Sequence, residues 1–154
     1  MKTLLKVQSL KKYFPVYGGL LSRIKGFVKA VDDVSFEIKE GETLGLVGES
    51  GCGKTTVGRM TLRLLEPTSG KVFFEGTDII GLKNKELEMI RPKMQIIFQD
   101  PYSSLNPRFT TERIIGEALS AHGLAKGNAL QKKIESLMEK VGLSKIYMKR
   151  FPHE

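Results

Sequence analysis

The chain has 154 residues, of which 40% are hydrophobic, 27% are charged and one is a cysteine. This length and balance allow one ordinary folded domain and exclude a disulfide framework, a disordered acidic tail and a fibrous repeat. Lysine and arginine exceed aspartate and glutamate by eight, but without a block of five like charges, which favours a solvated surface over a nucleic-acid interface. No apolar run approaches the roughly 18–20 residues that span a bilayer, so a soluble, cytoplasmic chain is predicted.

In chain order, residues 15–29 contain three glycines and predict an irregular excursion. Apolar and polar side chains alternate over residues 34–38, which predicts a half-buried strand. After a turn, the apolar run 43–47 predicts a short buried strand. A glycine-rich loop follows at residues 48–53.

Residues 54–65 predict a helix with Val57, Met60 and Leu64 on one face, and residues 72–74 and 94–98 predict further strands. Two amphipathic helices close the chain. The first has its apolar stripe at Ile114, Ile115, Ala118 and Leu119. The second has its stripe at Leu130, Ile134, Leu137 and Val141, a possible cap pair at Asn128 and Gln131, and a stop at Gly142. Strands and helices in this order predict an α/β chain.

Residues 48–55 read GESGCGKT and match the complete P-loop pattern, between a predicted buried strand and a predicted helix. In such a loop successive backbone N–H groups turn towards one anion, and the helix dipole adds positive charge. Lys54 would reach the β- and γ-phosphates, and the Thr55 hydroxyl would ligate Mg²⁺. The pattern therefore predicts a nucleoside triphosphate site. Cys52 stands where the pattern asks for no particular residue and is interpreted as a small filler, with the alternative that its alkylation blocks nucleotide binding.

A P-loop enzyme also needs a second group at the metal, usually an aspartate that ends another strand. From the residues alone, Asp100 is one candidate, although Gln99 separates it from the predicted strand 94–98. The alternative is that Gln99 itself is the functional group, as a neutral amide at the mouth of the site.

Several segments resemble the ATPases of ATP-binding-cassette (ABC) transporters. Residues 96–108, IIFQDPYSSLNPR, resemble their Q-loop, and the ending SLNPR resembles the oligopeptide/dipeptide importer branch. Residues 48–56, GESGCGKTT, resemble their Walker A motif, and residues 62–70, LRLLEPTSG, resemble the segment after it. Residues 30–48 are similar to the strand pair ahead of the loop. The likeness runs from about Leu4 to Glu154.

The resemblance implies a P-loop NTPase (RecA-like) core with an N-terminal antiparallel β subdomain and the start of a helical subdomain, incomplete in this chain. It divides the chain into a β subdomain with the P-loop core at residues 1–100 and a Q-loop with the start of the helical subdomain at residues 101–154.

The resemblance also implies roles for single residues. Tyr13, with Phe14 as second choice, takes the place of an aromatic ring that stacks on adenine. Gln99 takes the place of a glutamine that contacts Mg²⁺ and the attacking water, so Lys54 and Gln99 are the catalytic candidates and Thr55 and Gln99 the metal ligands. The residues assigned to ATP are Tyr13, Gly48, Glu49, Ser50, Gly51, Cys52, Gly53, Lys54, Thr55, Thr56 and Gln99.

The same family carries further motifs that are not found in this sequence: a Ser-Gly-Gly-Gln signature, a Walker B strand with its catalytic glutamate, a D-loop and a switch histidine. His122 and His153 match none of them and are interpreted as surface residues. Because hydrolysis needs groups from that part of the domain, we expect the chain alone to bind nucleotide weakly or not at all, to hydrolyse little and to associate.

The implied function is an ATP-binding subunit, with Mg²⁺, that powers import of oligopeptides or dipeptides from the inner face of the cell membrane. The implied partners are a second ABC ATPase subunit, two transmembrane permease subunits whose cytoplasmic helix would meet residues 100–113, and indirectly an extracytoplasmic peptide-binding protein. Nickel or another solute is an alternative cargo. Two other classes stay open: a soluble P-loop NTPase or kinase with Asp100 at the metal, and a non-hydrolysing nucleotide-binding module.

Overall fold

The computed structural model describes residues 1–19 and 23–154, which form two compact units at residues 1–94 and 95–154. The strands are β1 Thr3–Gly18, β2 Arg23–Lys39, β3 Ser69–Phe74 and β4 Thr77–Asp78. The helices are α1 Lys54–Thr61, α2 Asn84–Ile90, α3 Pro101–Ser104, α4 Thr111–Ala121 and α5 Gly127–Lys140, with short 3₁₀ turns at Arg91–Lys93 and Lys145–Tyr147. None of the helices in these described ranges is long and apolar enough to cross a membrane.

The first unit is built on a four-stranded antiparallel sheet in the order β2-β1-β3-β4. Residues 34–38 lie in β2 and alternate between half-buried and exposed, and residues 72–74 lie in β3, so both strand predictions are confirmed. Helix α1 contributes Val57 and Met60 to the core cluster that the sheet residues form. The apolar face of the sheet thus fixes the position of α1 and of the loop that precedes it.

The prediction of an irregular excursion at residues 15–29 is wrong where the structure describes that segment. Residues 15–18 continue β1 and residues 23–29 belong to β2, whereas residues 20–22 lie outside the described residues. Gly18 and Gly26 are part of the ladder, in which Gly26 pairs with Val16 and Gly18 with Arg23, with a shift of register between Val16 and Tyr17.

Helix α1 is four residues shorter than predicted. It ends at Thr61, and Arg63 adopts a left-handed conformation (φ 48°) while the Leu64 N–H donates to the Arg59 carbonyl (2.8 Å). The Arg63 guanidinium donates to the carbonyls of Ile79 and Leu82 (3.0 and 2.6 Å), which holds this residue in place. Leu64 is consequently exposed instead of sharing the face of Val57 and Met60.

The strands predicted at residues 43–47 and 94–98 are not formed. Both segments are irregular, and their large apolar side chains are partly or fully exposed; Val47 and Ile97 are 97% and 91% exposed. A strand exists only when a neighbour completes its hydrogen-bond ladder, and no described strand pairs with either segment. All strand pairs among the described residues are therefore antiparallel, and the sheet corresponds to the antiparallel β subdomain of the predicted α/β fold.

The second unit contains the two predicted amphipathic helices. Its core consists of Leu119, Ile134, Met138 and Met148, packed with Ile115, Leu130 and Leu137. Gly116 allows α4 to lie close to α5, because a Cβ at this position would lie 3.2 Å from Ile134 Cδ1. Ala118 and Val141 are exposed, so their predicted burial is wrong.

Of the two predicted ends of α5, the C-terminal stop is confirmed and the N-terminal cap is not. The predicted cap pair Asn128 and Gln131 does not form, because α5 begins after Lys126 and has no side-chain cap. The predicted stop is confirmed: Gly142 has φ 75°, and the Leu143 N–H donates to the Met138 carbonyl (2.9 Å).

Candidate functional site

The glycine-rich loop at residues 48–53 leads directly into the N-terminus of α1. Helix α1 starts at Lys54 with Gly53 as its N-cap, and no side chain caps it. The N–H groups in the first turn of a helix have no partners within the helix, and they carry the positive end of its dipole. Residues 48–52 are exposed. The predicted helix start is confirmed, and this arrangement can present donors and positive potential to an anion from solvent.

Gly53 is required by both its conformation and its surroundings. Its φ is 96°, and a Cβ at this position would lie 2.3 Å from the carbonyl oxygen of Ala30 in β2. The last residue of the loop therefore packs directly against β2. Gly51 also has a positive φ of 82°. These two glycines give the loop a path that residues with side chains would not follow without strain.

The Lys54 side chain folds back over the loop. Its ammonium donates to the carbonyl oxygens of Gly48 and Glu49 (2.7 Å each) and lies 3.4 Å from Cys52 Sγ. Thr55 is exposed and Thr56 is half-buried in the first turn of α1. The Lys54 ammonium and the Thr55 hydroxyl therefore lie at the N-terminus of α1, beside the N–H groups that have no partner within the helix.

Cys52 takes part in the packing of the loop. Its N–H donates to the Glu49 carbonyl (3.3 Å), and a Cβ at Gly48 would lie 2.6 Å from its Sγ. The thiol is nevertheless exposed. It thus lies inside the curve of the loop and not beside it, which the P-loop pattern alone does not indicate.

Tyr13 belongs to a small polar cluster at the edge of the same sheet. It pairs with Lys29 across β1 and β2, and its N–H donates to Thr68 Oγ1 (2.9 Å). Its hydroxyl donates to the Asp32 carboxylate. The Lys29 ammonium lies 5.2 Å from the centre of the Tyr13 ring and 3.2 Å from Asp32 Oδ2.

The contacts in this cluster shift the pKa values of its members. The hydrogen bond from the Tyr13 phenol is the main cause that lowers the pKa of Asp32, and Lys29 adds to it. The same bond raises the pKa of Tyr13, and the bond with Asp32 raises the pKa of Lys29. All three groups therefore favour the ionisation state in which Asp32 is charged and Tyr13 is neutral.

Consecutive residues of β2 connect Tyr13 to the loop. Lys29 covers the tyrosine ring, and the carbonyl of the next residue, Ala30, is the group that contacts Gly53. Phe14 is partly exposed, with Lys12 Nζ 5.1 Å from its ring centre. Since side chains alternate along a strand, Phe14 faces away from the side of Tyr13.

Lys29 and Asp32 were missed by reasoning from the sequence. Spacing by three is no signal in a strand, because it places two residues on opposite faces. The ladder shifts register here, from Leu10 opposite Val34 to Lys12 opposite Val31, and Asp33 has φ 60°. Such an irregularity leaves no pattern in the sequence that would identify it in advance.

Gln99 and Asp100 lie in the second unit. Gln99 is exposed, and Asp100 Oδ1 accepts a hydrogen bond from the Tyr102 N–H (3.1 Å). The loop belongs to the first unit, and a joint role of these residues with the loop stays a prediction. His122 and His153 are exposed, and the His153 ring stacks on Phe151.

The residues of the loop fit a triphosphate. A polyanion needs N–H donors and a cation, and the uncapped start of α1 and the Lys54 ammonium provide both. Mg²⁺ binds oxygen ligands and commonly takes only one or two from the protein when a phosphate supplies the others. The exposed Thr55 hydroxyl fits one of these positions.

Comparison with known proteins gives consistent results. The model of the ABC transporter family matches residues 31–154. The chain is 47% identical over 154 residues to the oligopeptide transport ATP-binding protein AppF of Bacillus subtilis (strain 168), covering 99% of this chain and 47% of that protein. It is 50% identical over 153 residues to OppF of the same organism, covering 98% of this chain and 48% of that protein. The chain thus spans about half the length of these two relatives.

A glutathione import ATP-binding protein, GsiA of Salmonella paratyphi A (strain ATCC 9150 / SARB42), is 46% identical over 151 residues, covering 98% of this chain and 24% of that protein. Among solved structures, a dimeric bacterial ABC transporter cassette, MJ0796, superimposes with a TM-score of 0.75 at 24% identity, over 97% of this chain and 62% of that chain. A post-hydrolysis state of MJ0796 bound to ADP and Pi gives 0.76 at 25% identity, with the same coverage.

Proposed function

The chain belongs to the ABC transporter family, and we propose that it is the N-terminal part of an ATP-binding subunit that powers import of oligopeptides or dipeptides. The observation that carries the proposal is the uncapped start of α1 behind the glycine-rich loop, with the Lys54 ammonium already at the mouth of that loop. The relatives named above are ATP-binding proteins of oligopeptide transport and glutathione import, which supports a peptide as cargo.

In this proposal the loop residues 48–56 bind the phosphates of ATP. Backbone N–H groups donate to the phosphate oxygens, and the Lys54 ammonium neutralises charge on the β- and γ-phosphates. Thr55 and Gln99 would hold Mg²⁺, which supplies charge neutralisation between the same phosphates. Tyr13 would stack on the adenine, held in orientation by Asp32, and Gln99 would orient the attacking water as the second catalytic group.

The assembly that we propose has two such subunits, two transmembrane permease subunits and an extracytoplasmic peptide-binding protein. Residues 101–154, the Q-loop and the start of a helical subdomain, would meet the permease, whereas residues 1–100 would carry the nucleotide site. The subunit would lie in the cytoplasm, at the inner face of the membrane. The dimeric structure of the MJ0796 cassette supports pairing of two cassettes.

The direct test is nucleotide binding by the full chain, measured by saturation-transfer NMR, which detects weak ligands. We expect Mg·ATP to bind, and Lys54→Ala to weaken binding at least about tenfold, because a charge-assisted hydrogen bond is removed. Lys71→Ala, at an exposed lysine in β3, is the matched control and should leave binding unchanged. Equal signals for the Lys54→Ala and Lys71→Ala variants would contradict the proposal.

Transport is tested with a chimera. Residues 1–154 replace the matching part of Bacillus subtilis OppF, and uptake of a labelled peptide is measured in cells that lack OppF. We expect uptake with the chimera and none with its Lys54→Ala version. A folded, expressed chimera that gives no peptide uptake would show that the chain does not serve a peptide importer.

A further inference from the structure

The hairpin of β1 and β2 extends beyond the rest of the sheet. Pairing of β1 with β3 stops at Lys11 opposite Ser69. From Phe14 opposite Val28 to Gly18 opposite Arg23, the two strands pair only with each other among the described residues. We call residues 14–18 and 23–28 the hairpin arm. A two-stranded ribbon is marginally stable in water by itself, so this arm gains from a surface that covers it.

The hairpin arm exposes apolar side chains on both of its faces. Phe14 and Val28 are paired and share one face, and the next pair, Pro15 and Phe27, points to the other. Its exposed large apolar residues each show between 38% and 59% of their accessible surface, and they are Phe14, Val16, Tyr17, Ile24, Phe27 and Val28. A flat protein surface would cover one face of such a ribbon, whereas insertion into the interfacial layer of a bilayer covers both.

The charged side chains of the hairpin arm itself are all basic. The first 31 residues contain seven lysines and arginines and no aspartate or glutamate. Arg23 and Lys25 lie in the arm itself, and no described acidic residue forms a salt bridge with either. A Cβ at Gly18 would lie 2.5 Å from Lys25 Cδ, so the lysine stem crosses the ribbon at this glycine. At membrane surfaces, lysine adopts this arrangement: its apolar stem lies along the protein, and its ammonium stays in the polar layer.

We propose that the hairpin arm is a docking surface for the interface of an anionic lipid bilayer. Its aromatic and aliphatic side chains enter the headgroup layer, and Arg23 and Lys25 lie against the lipid phosphates. Tyrosine and phenylalanine with flanking basic residues are the chemistry that this layer selects. The contact does not depend on the nucleotide site, so vesicle binding and ATP binding can each fail without the other.

The first experiment uses fluorescence. The chain has no tryptophan, so Tyr17→Trp introduces a single probe into the arm. Vesicles of phosphatidylcholine with phosphatidylglycerol are compared with vesicles of phosphatidylcholine alone. We expect a blue shift of the Tyr17→Trp emission with the anionic vesicles only. Tyr147→Trp, at a partly exposed tyrosine of the second unit, is the control and should not shift.

The second experiment measures cosedimentation with the anionic vesicles. We expect Arg23→Gln with Lys25→Gln to weaken binding by about tenfold or more, because each basic residue near an anionic surface adds to the attraction. Lys132→Gln with Lys133→Gln removes the same charge from exposed positions of α5 and should change binding less than twofold. Binding that is equal for both pairs, equal for neutral vesicles or absent altogether would overturn the proposal. An acidic protein as the true occupant would give the last of these results.

Discussion

At the scale of single residues, Cys52 is the position where the loop can be tested chemically. Its thiol is exposed, yet it lies over Gly48 and 3.4 Å from the Lys54 ammonium. We expect alkylation with N-ethylmaleimide to abolish Mg·ATP binding, since the added group occupies the space inside the loop. Nucleotide binding is measured before and after modification, and mass spectrometry verifies that the modification is complete.

A matched control for this prediction is Cys52→Ala, which keeps the loop small. The variant should bind nucleotide as the unmodified chain does and should be insensitive to the reagent. Full binding by the completely alkylated chain would show that the thiol lies outside the space that the phosphates occupy.

The cluster of Tyr13, Lys29 and Asp32 makes stability depend on pH. Tyr13 and then Lys29 lower the folded-state pKa of Asp32 from its usual 3.8, so the charged form stabilises the fold above that value. This contribution is lost as the pH falls through the lowered pKa. We expect Asp32→Asn to reduce the free energy of unfolding at pH 7, with a difference from wild type that disappears in strong acid; urea unfolding between pH 2 and pH 7 measures it.

Because these groups are exposed, the effect is small, and a second carboxylate calibrates it. Lys93 lowers the pKa of Glu75 in the same direction, and the two side chains are 2.7 Å apart. Glu75→Gln should therefore show a pH profile of the same sign. A difference between wild type and Asp32→Asn that grows towards low pH would contradict the assignment of the shift.

At the scale of elements, the contact between β1 and β3 depends on Gly70. Its φ is 99°, and a Cβ there would lie 2.5 Å from the Ser9 carbonyl oxygen and 2.7 Å from Leu10 Cα. Both neighbours are backbone, so Gly70→Ala forces the strands apart. We expect a loss in the free energy of unfolding of about 3 kcal/mol or more, measured by urea denaturation.

Gly76 provides the comparison for Gly70, because its φ is also positive (84°) but a Cβ there would contact nothing within 4 Å. Gly76→Ala should cost only the conformational strain of about 1–2 kcal/mol. The difference between the two variants measures the steric contribution alone. Equal losses would show that β1 and β3 can separate without cost.

Local patterns in the sequence were sufficient to predict some of the elements. The alternation at residues 34–38 and the stripe of Ile115 and Leu119 correctly predicted parts of β2 and α4. They failed at residues 43–47, where the apolar run is real but no described strand pairs with it. They also failed at Arg63, since an arginine carries no signal that its guanidinium will bind two distant carbonyls and fix a left-handed turn.

In the candidate site, too, some features could be predicted from the sequence and others could not. The P-loop pattern alone predicted the helix start at Lys54, because it follows from spacing along the chain. Resemblance to a family suggested Tyr13. Neither source indicated Asp32 or Lys29, whose approach to Tyr13 results from a shift in strand register.

At the scale of the whole molecule, the exposed apolar segments predict self-association. Val47 in the first unit and Ile97 in the second are almost fully exposed, and apolar neighbours surround each in sequence. Large apolar side chains that are exposed at neighbouring positions favour association. We expect the sedimentation coefficient in analytical ultracentrifugation to rise with protein concentration, and Val47→Ser with Ile97→Ser to reduce that rise.

Exposed apolar residues outside these segments serve as the control. Met89 and Ile146 are 72% and 73% exposed, and Met89→Ser with Ile146→Ser should leave association unchanged. An equal reduction by both pairs of substitutions would assign the effect to general surface hydrophobicity.

The position of the Lys54 ammonium has a consequence for the energetics of nucleotide binding. Two carbonyl oxygens of the loop accept hydrogen bonds from this cation, so in the proposed site a phosphate would have to compete with them for it. Binding is then an exchange of acceptors, and the measured affinity reports the difference between two sets of hydrogen bonds. The carbonyls of Gly48 and Glu49 would therefore reduce the net free energy that the Lys54 ammonium contributes to phosphate binding.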